Sequence, residues 1–281
     1  MQLTKHHALG NDFLVCLPLR GEAVPSRLGE VEAARALCDR RRGVGADGLI
    51  WGTPLPAGGS TAGAPVAGEP TWEMLLLNAD GSEAEISGNG VRCLAQAIWR
   101  QAGGRDDGKE LLIATGGGVR RLVRHGSITP VVDDVSVDMG PVSAGPDLDG
   151  VTPLLAPLGP RHLAAARIGN PHVVAHVEDG AGVALGEIGP AVEAAVPGGV
   201  NLHLLEVIDD HTIVLRHWER GAGLTDACGS GASVSAHLAR LWGLTGPEVK
   251  VRMPGGEAVV TAGPTVELRS HVSYVATVEV P

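Results

Sequence analysis

Ile86-Ser87-Gly88-Asn89-Gly90 and Ala227-Cys228-Gly229-Ser230-Gly231 share one pattern, x-[S/C]-G-x-G, at an offset of 141 residues (87 to 228). Each is followed by small and apolar residues at helical spacing, Val91 to Ala102 and Ala232 to Trp242, and preceded by an acidic, glycine-containing turn. Before those turns stand short apolar runs, Trp72 to Leu77 and Thr212 to Leu215, whose flanking turn residues predict buried strands. The same offset separates Val137-Asp138-Met139 from Val278-Glu279-Val280, alternating patterns that predict a closing strand for each half. The chain is therefore written twice, as strand, turn, glycine loop and helix. The fold class expected is α/β (α+β), with two pseudo-symmetric halves, each a curved, mostly antiparallel sheet around a central helix. Residues 1–130 form the half with the Ser87 loop and residues 131–281 the half with the Cys228 loop.

Composition excludes several function classes. A hydrophobic fraction of 44% and a charged fraction of 19% over 281 residues suit a chain with a substantial core. A net charge of -10 repels a phosphate backbone, so no nucleic acid is expected as a partner. No apolar stretch reaches the roughly 18 residues of a membrane span, and the start, MQLTKHHALGNDF, lacks a signal peptide's apolar core. A cytoplasmic protein without a membrane partner is expected. Cys16, Cys38, Cys93 and Cys228 show no C-x-x-C spacing, which speaks against a disulfide framework and a zinc site. The lysines, Lys5, Lys109 and Lys250, stand in no pyridoxal phosphate motif, and neither a metal nor an organic cofactor is expected. Residues 54–70, rich in Gly, Pro and Ala, predict a surface loop.

A glycine pair leading into a helix presents backbone N–H groups at the positive end of the helix dipole, which suits a carboxylate. One such loop is more often a tight turn than a ligand site; two related by a pseudo-two-fold axis change the odds. Their helix ends can converge on one carboxylate while the preceding residues face each other across its α-carbon. Inverting a stereocentre needs an acid and a base on opposite faces, and two such loops supply two faces. At a helix N-terminus, Cys228 is expected to have its pKa pulled below the free thiol's value of about 8.5. Cys16 and Cys38 fit the commoner fate of a free cysteine, a small buried hydrophobe.

KHHALGNDF, RRRGVGADGL, NADGSEAEISGNGVRC, GNPH, GVNL and ERGAGLTDACGSGA follow one another between residues 5 and 232. In kind and order they resemble those of the diaminopimelate epimerases. The resemblance implies two similar domains with the active site in the cleft between them, an amino-acid substrate, no cofactor, and a homodimer. It implies Cys228 and Ser87 at the positions of two proton-exchanging thiols, with His172 and Glu219 holding the reacting amino acid. It further implies Gly88, Asn89, Gly229 and Ser230 around the α-carboxylate. The distal amino-acid head group falls to Asn11, Asn78, Asn170, Asn201 and Arg220, whose donors and acceptors suit a zwitterion. Read alone, the asparagines beside turn signals would more often bond their own backbone, and Glu219 with Arg220 would be a solvated charge pair.

Two residues depart from the family pattern. Leu224 stands where a glutamate is common, and Ser87 stands where the second thiol belongs. A serine hydroxyl is a far poorer base than a thiol at neutral pH, and no histidine motif adjoins Ser87. Cys93, six residues further along the helix, is about 9 Å away on another face and is no substitute. The expected function is interconversion of LL- and meso-diaminopimelate by two-face proton transfer, impaired or altered by Ser87. The alternatives are a related racemase or dehydratase using Cys228 as base, or a catalytically weakened amino-acid binder.

Overall fold

The computed structural model describes residues 1–18, 30–55, 71–84, 87–104 and 110–280. Leu55 still donates to the Thr71 carbonyl beside the strand pair that Pro54 and Trp72 end, whereas the rest of the predicted loop, 56–70, lies outside the described residues. Lys109 lies outside them too.

The chain forms two compact units, Met1–Val137 with His271–Pro281, and Asp138–Ser270. This differs from a division at 130. In the first unit run β1 (Gln2–Ala8), β2 (Asn11–Cys16), α1 (Glu30–Cys38), β3 (Gly48–Pro54), β4 (Trp72–Asn78), α2 (Gly88–Gln101), β5 (Glu110–Thr115), β6 (Gly118–Thr129) and β7 (Val132–Asp138). The second unit holds β8 (Ser143–Ala144), α3 (Thr152–Leu155), β9 (His162–Ile168), β10 (Asn170–His176), α4 (Leu185–Ala195), β11 (Asn201–Asp209), β12 (Thr212–Glu219), β13 (Gly223–Leu224), α5 (Gly229–Leu241), β14 (Glu248–Met253) and β15 (Gly256–Ala262). β16 (Val266–Glu279) begins in the second unit beside β15 and ends in the first, where Gln2 pairs with Glu279 and His7 with Ser273. The physical reason for the altered boundary is this one strand of 14 residues, long enough to serve both sheets.

In the first unit the strand order β1 to β7 and then β16 returns to β1 and closes an eight-stranded barrel. α2 packs against β1, β2, β3, β4 and β6 and is buried from Gly88 to Trp99, the signature of a helix enclosed on all sides. Leu94, Ile98 and Trp99 each contribute about 1.5–3 kcal/mol by leaving water. Its one fully buried amide, Gln96, donates to Asp133 at 2.8 Å and bonds His6 Nδ1 at 2.8 Å, so the polar group is satisfied inside the barrel.

The second unit orders its strands β16-β15-β14-β12-β11-β10-β9-β8, with β13 folded back on β12. α5 contacts β9, β10, β11, β12, β14 and β15, while Val173, Leu202 and Leu204 pack with Leu185 and Val192 of α4. Two covered faces explain why β10 beyond Asn170 and the first five residues of β11, Asn201 to Leu205, are buried. Both units repeat one connection: β4 runs through α2 into the parallel strand β5, and β12 through α5 into the parallel strand β14. Strand, glycine loop and central helix are thus found twice, as the offset of 141 predicts. The sheets are mostly antiparallel; β2–β3 and β10–β11 are further parallel pairs among the described residues.

Candidate functional site

Ser87 opens α2 as its N-cap at φ −144° and ψ 114°, its Oγ accepting the Gly90 N–H at 2.9 Å. Cys228 opens α5 at φ −122° and ψ 103°, its Sγ accepting the Gly231 N–H at 3.4 Å. The two cap carbonyls accept from Val91 and Ala232, both at 2.9 Å. The likeness extends one turn: Arg92 Nε and Ser233 Oγ donate to the carbonyls of Gly88 and Gly229, at 3.1 and 2.8 Å. The sequence reading missed this second pair, though the same offset (92 to 233) marks it.

Glycine is required at the last position of the second loop because the strand beneath is close. A Cβ on Gly231 would lie 2.0 Å from His203 Cε1, whereas one on Gly90 would lie 3.2 Å from the Ser87 side chain. Gly231→Ala should therefore cost about 1–3 kcal/mol by overpacking, read from urea denaturation, and Gly90→Ala distinctly less. Equal losses would sink the argument.

Around the first loop, Asn89 is 3% exposed. Its Oδ1 accepts from Arg92 Nη2 at 2.6 Å, and its Nδ2 donates to Asn11 Oδ1 at 3.3 Å. Asn11 Nδ2 donates in turn to Asp47 at 2.7 Å, and Arg40 ties Asp47 to Asp12. Asn11 and Asn89 are thereby oriented by a chain of charges, while Asn78, exposed at the end of β4, donates to Ser82 Oγ at 3.0 Å. Arg92 is a fully buried guanidinium whose burial lowers its pKa to about 10, so it stays charged at neutral pH beside the α2 N-terminus.

Around the second loop the electrostatics are opposite. Glu219, at the end of β12, accepts the Thr225 hydroxyl and lies beside Cys228. Burial, followed by the Glu219 charge, pushes the Cys228 thiol well above its ordinary value, outweighing the bonds from Ser230 and Gly231. This corrects the expected lowering: a helix dipole offers about 0.3–1 kcal/mol, less than the cost of burying a thiolate next to a carboxylate. Burial likewise raises Cys93 and, to about 11, Cys38. Cys93 and Cys16 sit in the core as apolar side chains.

His172 Nε2 bonds Asn170 Oδ1 at 2.7 Å and its Nδ1 bonds His203 Nε2 at 2.9 Å. Burial lowers the His172 pKa to about 3, with the Arg220 charge acting in the same direction. Asn201 donates to the Pro171 carbonyl at 2.8 Å and accepts the Arg220 N–H at 2.9 Å, leaving its second Nδ2 hydrogen for another acceptor. Arg220 extends to the Gly198 carbonyl at 3.1 Å. The second unit thus links Asn170 with His172, Asn201 with Arg220, and Glu219 with Cys228, flanked by Gly229 and Ser230. Leu224 is 59% exposed and paired with Trp218. His203, His217 and Thr225 were missed from sequence, because no spacing motif joins side chains on two adjacent strands with one in the loop after β13.

The sequence profile of diaminopimelate epimerase matches residues 3–144 and 164–269. A diaminopimelate epimerase of Synechococcus elongatus is 37% identical over 272 residues, 91% of this chain and 89% of its own. One of a Cyanothece species is 36% identical over 294 residues, covering 95% of this chain and 98% of its own. Among solved structures, a predicted epimerase from Pseudomonas aeruginosa superposes with a TM-score of 0.72 at 15% identity, over 99% of this chain and 98% of that one. A hydroxyproline epimerase from Agrobacterium vitis, with bound trans-4-hydroxy-L-proline, gives 0.67 at 16% identity, over 100% and 90%.

Proposed function

Because the chain belongs to the diaminopimelate epimerase family, we propose that it is an isomerase interconverting LL- and meso-diaminopimelate by proton transfer at the α-carbon, without pyridoxal phosphate or metal. The observation that carries this reading is the pair of loop-and-helix units with matching caps, one headed by Cys228 and the other by Ser87. Cys228 is the proton carrier matched to the chemistry, since a thiol exchanges protons near neutral pH far more readily than an alcohol. Glu219 and His172 hold the reacting amino acid. The helix N-termini at Gly88, Asn89, Gly229 and Ser230 take the α-carboxylate. We further propose a cytoplasmic homodimer.

Ser87 supports a second reading, a racemase or dehydratase relative in which Cys228 abstracts the proton and Ser87 handles the other face; in the dehydratase form, elimination needs exchange on the Cys228 face alone. Solvent-deuterium incorporation into each diaminopimelate stereoisomer separates the two: label entering both LL and meso isomers supports inversion, and label confined to one supports one-sided chemistry.

The distal head group gives an independent expectation. If Asn11, Asn78, Asn170, Asn201 and Arg220 hold it, a ligand without it leaves polar groups unpaired at about 1–3 kcal/mol each. Diaminopimelate should then bind at least about tenfold more tightly than alanine or proline in calorimetry. Equal binding of proline would remove those five residues from the site.

A further inference from the structure

Three histidines lie side by side on neighbouring strands, His172 on β10, His203 on β11 and His217 on β12. Their ring centroids are 5.1 and 5.9 Å apart, and each ring is at most 2% exposed. The hydrogen-bond directions fix what they carry. Glu219 can only accept when ionised, so the single Thr225 proton goes to it, and the Thr225 oxygen must accept from His217 Nε2, 2.9 Å away. His217 is therefore the neutral Nε2–H tautomer. Its bare Nδ1 is, among the described residues, a buried atom without a partner, which agrees with this direction. The chain of donors runs one way, from His217 through Thr225 to Glu219, and ends beside the Cys228 sulfur.

We propose that His217 and Thr225 are positioning residues that hold the Glu219 carboxylate against the Cys228 thiol. This rests on the reading of Cys228 as the reacting group. Glu219 ends β12 and is only half-buried, so its long side chain has rotamers to choose from, and a hydroxyl donor anchored by a fully buried ring selects one. The charged or titratable neighbours of this assembly are Cys228, His203, His172, Asp226 and Arg220. Burial keeps all three rings neutral, so none of them competes with Thr225 as a charged partner for the carboxylate. The effect is to keep the thiol protonated until substrate arrives, because the held carboxylate accepts from S–H and repels a thiolate.

The test uses Thr225→Val, which keeps the shape and removes the donor, and Thr225→Ser, which restores it. His217→Leu and His217→Gln form the corresponding pair, since a glutamine amide supplies a donor near the Nε2 position. The first readout is the alkylation rate of each cysteine by iodoacetamide against pH, resolved by mass spectrometry. Freed from Glu219, Cys228 in Thr225→Val and His217→Leu should alkylate about fivefold faster at a fixed pH, the loss of one hydrogen bond's constraint, while Cys93 stays unchanged. Solvent-deuterium exchange at the diaminopimelate α-carbon should fall about tenfold or more in kcat with KM little altered, and the serine and glutamine variants should recover both properties. An unmoved Cys228 profile in Thr225→Val overturns the proposal. So does acceleration shared equally by Cys93, which would mean general loosening. Should the parent chain exchange no diaminopimelate proton, the functional reading fails, yet the alkylation profile still decides whether Glu219 is held in this way.

Discussion

Cys228→Ala should abolish α-proton exchange, by about 10³-fold or more, while Ser87→Cys should raise epimerisation by about 10²–10⁴-fold, the usual worth of a positioned acid or base. The second substitution is structurally cheap because the fold already shows cysteine in that role. Cys228 caps α5 with the backbone that Ser87 uses to cap α2, and exchanging one capping side chain for another costs at most about 1 kcal/mol. The surroundings predict more than restored activity. A thiol at 87 would stand one residue from the carbonyl held by the buried Arg92 guanidinium, and the thiol at 228 stands beside Glu219. Opposite charges push two identical groups towards opposite protonation states, one ready to take a proton and the other to give it. Epimerisation rates of the two variants and the double variant, from LL- and meso-diaminopimelate, check this. Unchanged turnover in Cys228→Ala would remove Cys228 from the mechanism.

Acid should unfold the second unit long before its carboxylates are neutralised. Burial lowers His172 to about 3, His217 to about 4 and His203 well below the ordinary 6.5. Above 6.5 the rings are neutral whether the chain is folded or not, and pH has no purchase on them. Below 6.5 the unfolded chain takes up protons that the folded one refuses, so stability falls with pH until the folded pKa values are reached. Each ring contributes about 1.4 kcal/mol per pH unit in that window, so the three together remove about 4 kcal/mol between pH 7.5 and about 5.5. Urea denaturation at those two pH values measures the drop, and His217→Gln should lessen it by about one third. A flat profile would mean that the rings meet water in the folded state.

What the sequence made legible was local. The repeated x-[S/C]-G-x-G predicted two capped helices after two strands, because cap, glycine and helix are decided by a few consecutive residues. The apolar runs at Trp72 and Thr212 marked β4 and β12 for the same reason. The pairing of Gln2 with Glu279 was not legible, since nothing near either residue says which distant strand it will meet. The acidity of Cys228 was misjudged because helix position is readable from sequence, whereas burial and the approach of Glu219 are products of the whole sheet. His203 escaped notice as one polar residue in an apolar strand, its meaning set by His172 and Gly231 on other elements.

The shared strand β16 also imposes an order on biosynthesis. Residues 138–270 are contiguous and can collapse as soon as they leave the ribosome. The barrel around α2 cannot close until residues 273–279 emerge to meet β1, a strand made long before them. Throughout translation β1 therefore waits with an unpaired edge, the kind of surface on which nascent chains aggregate. A chain stopped at residue 270 would keep the Cys228 loop with its own sheet and leave the Ser87 helix inside a barrel with an open seam.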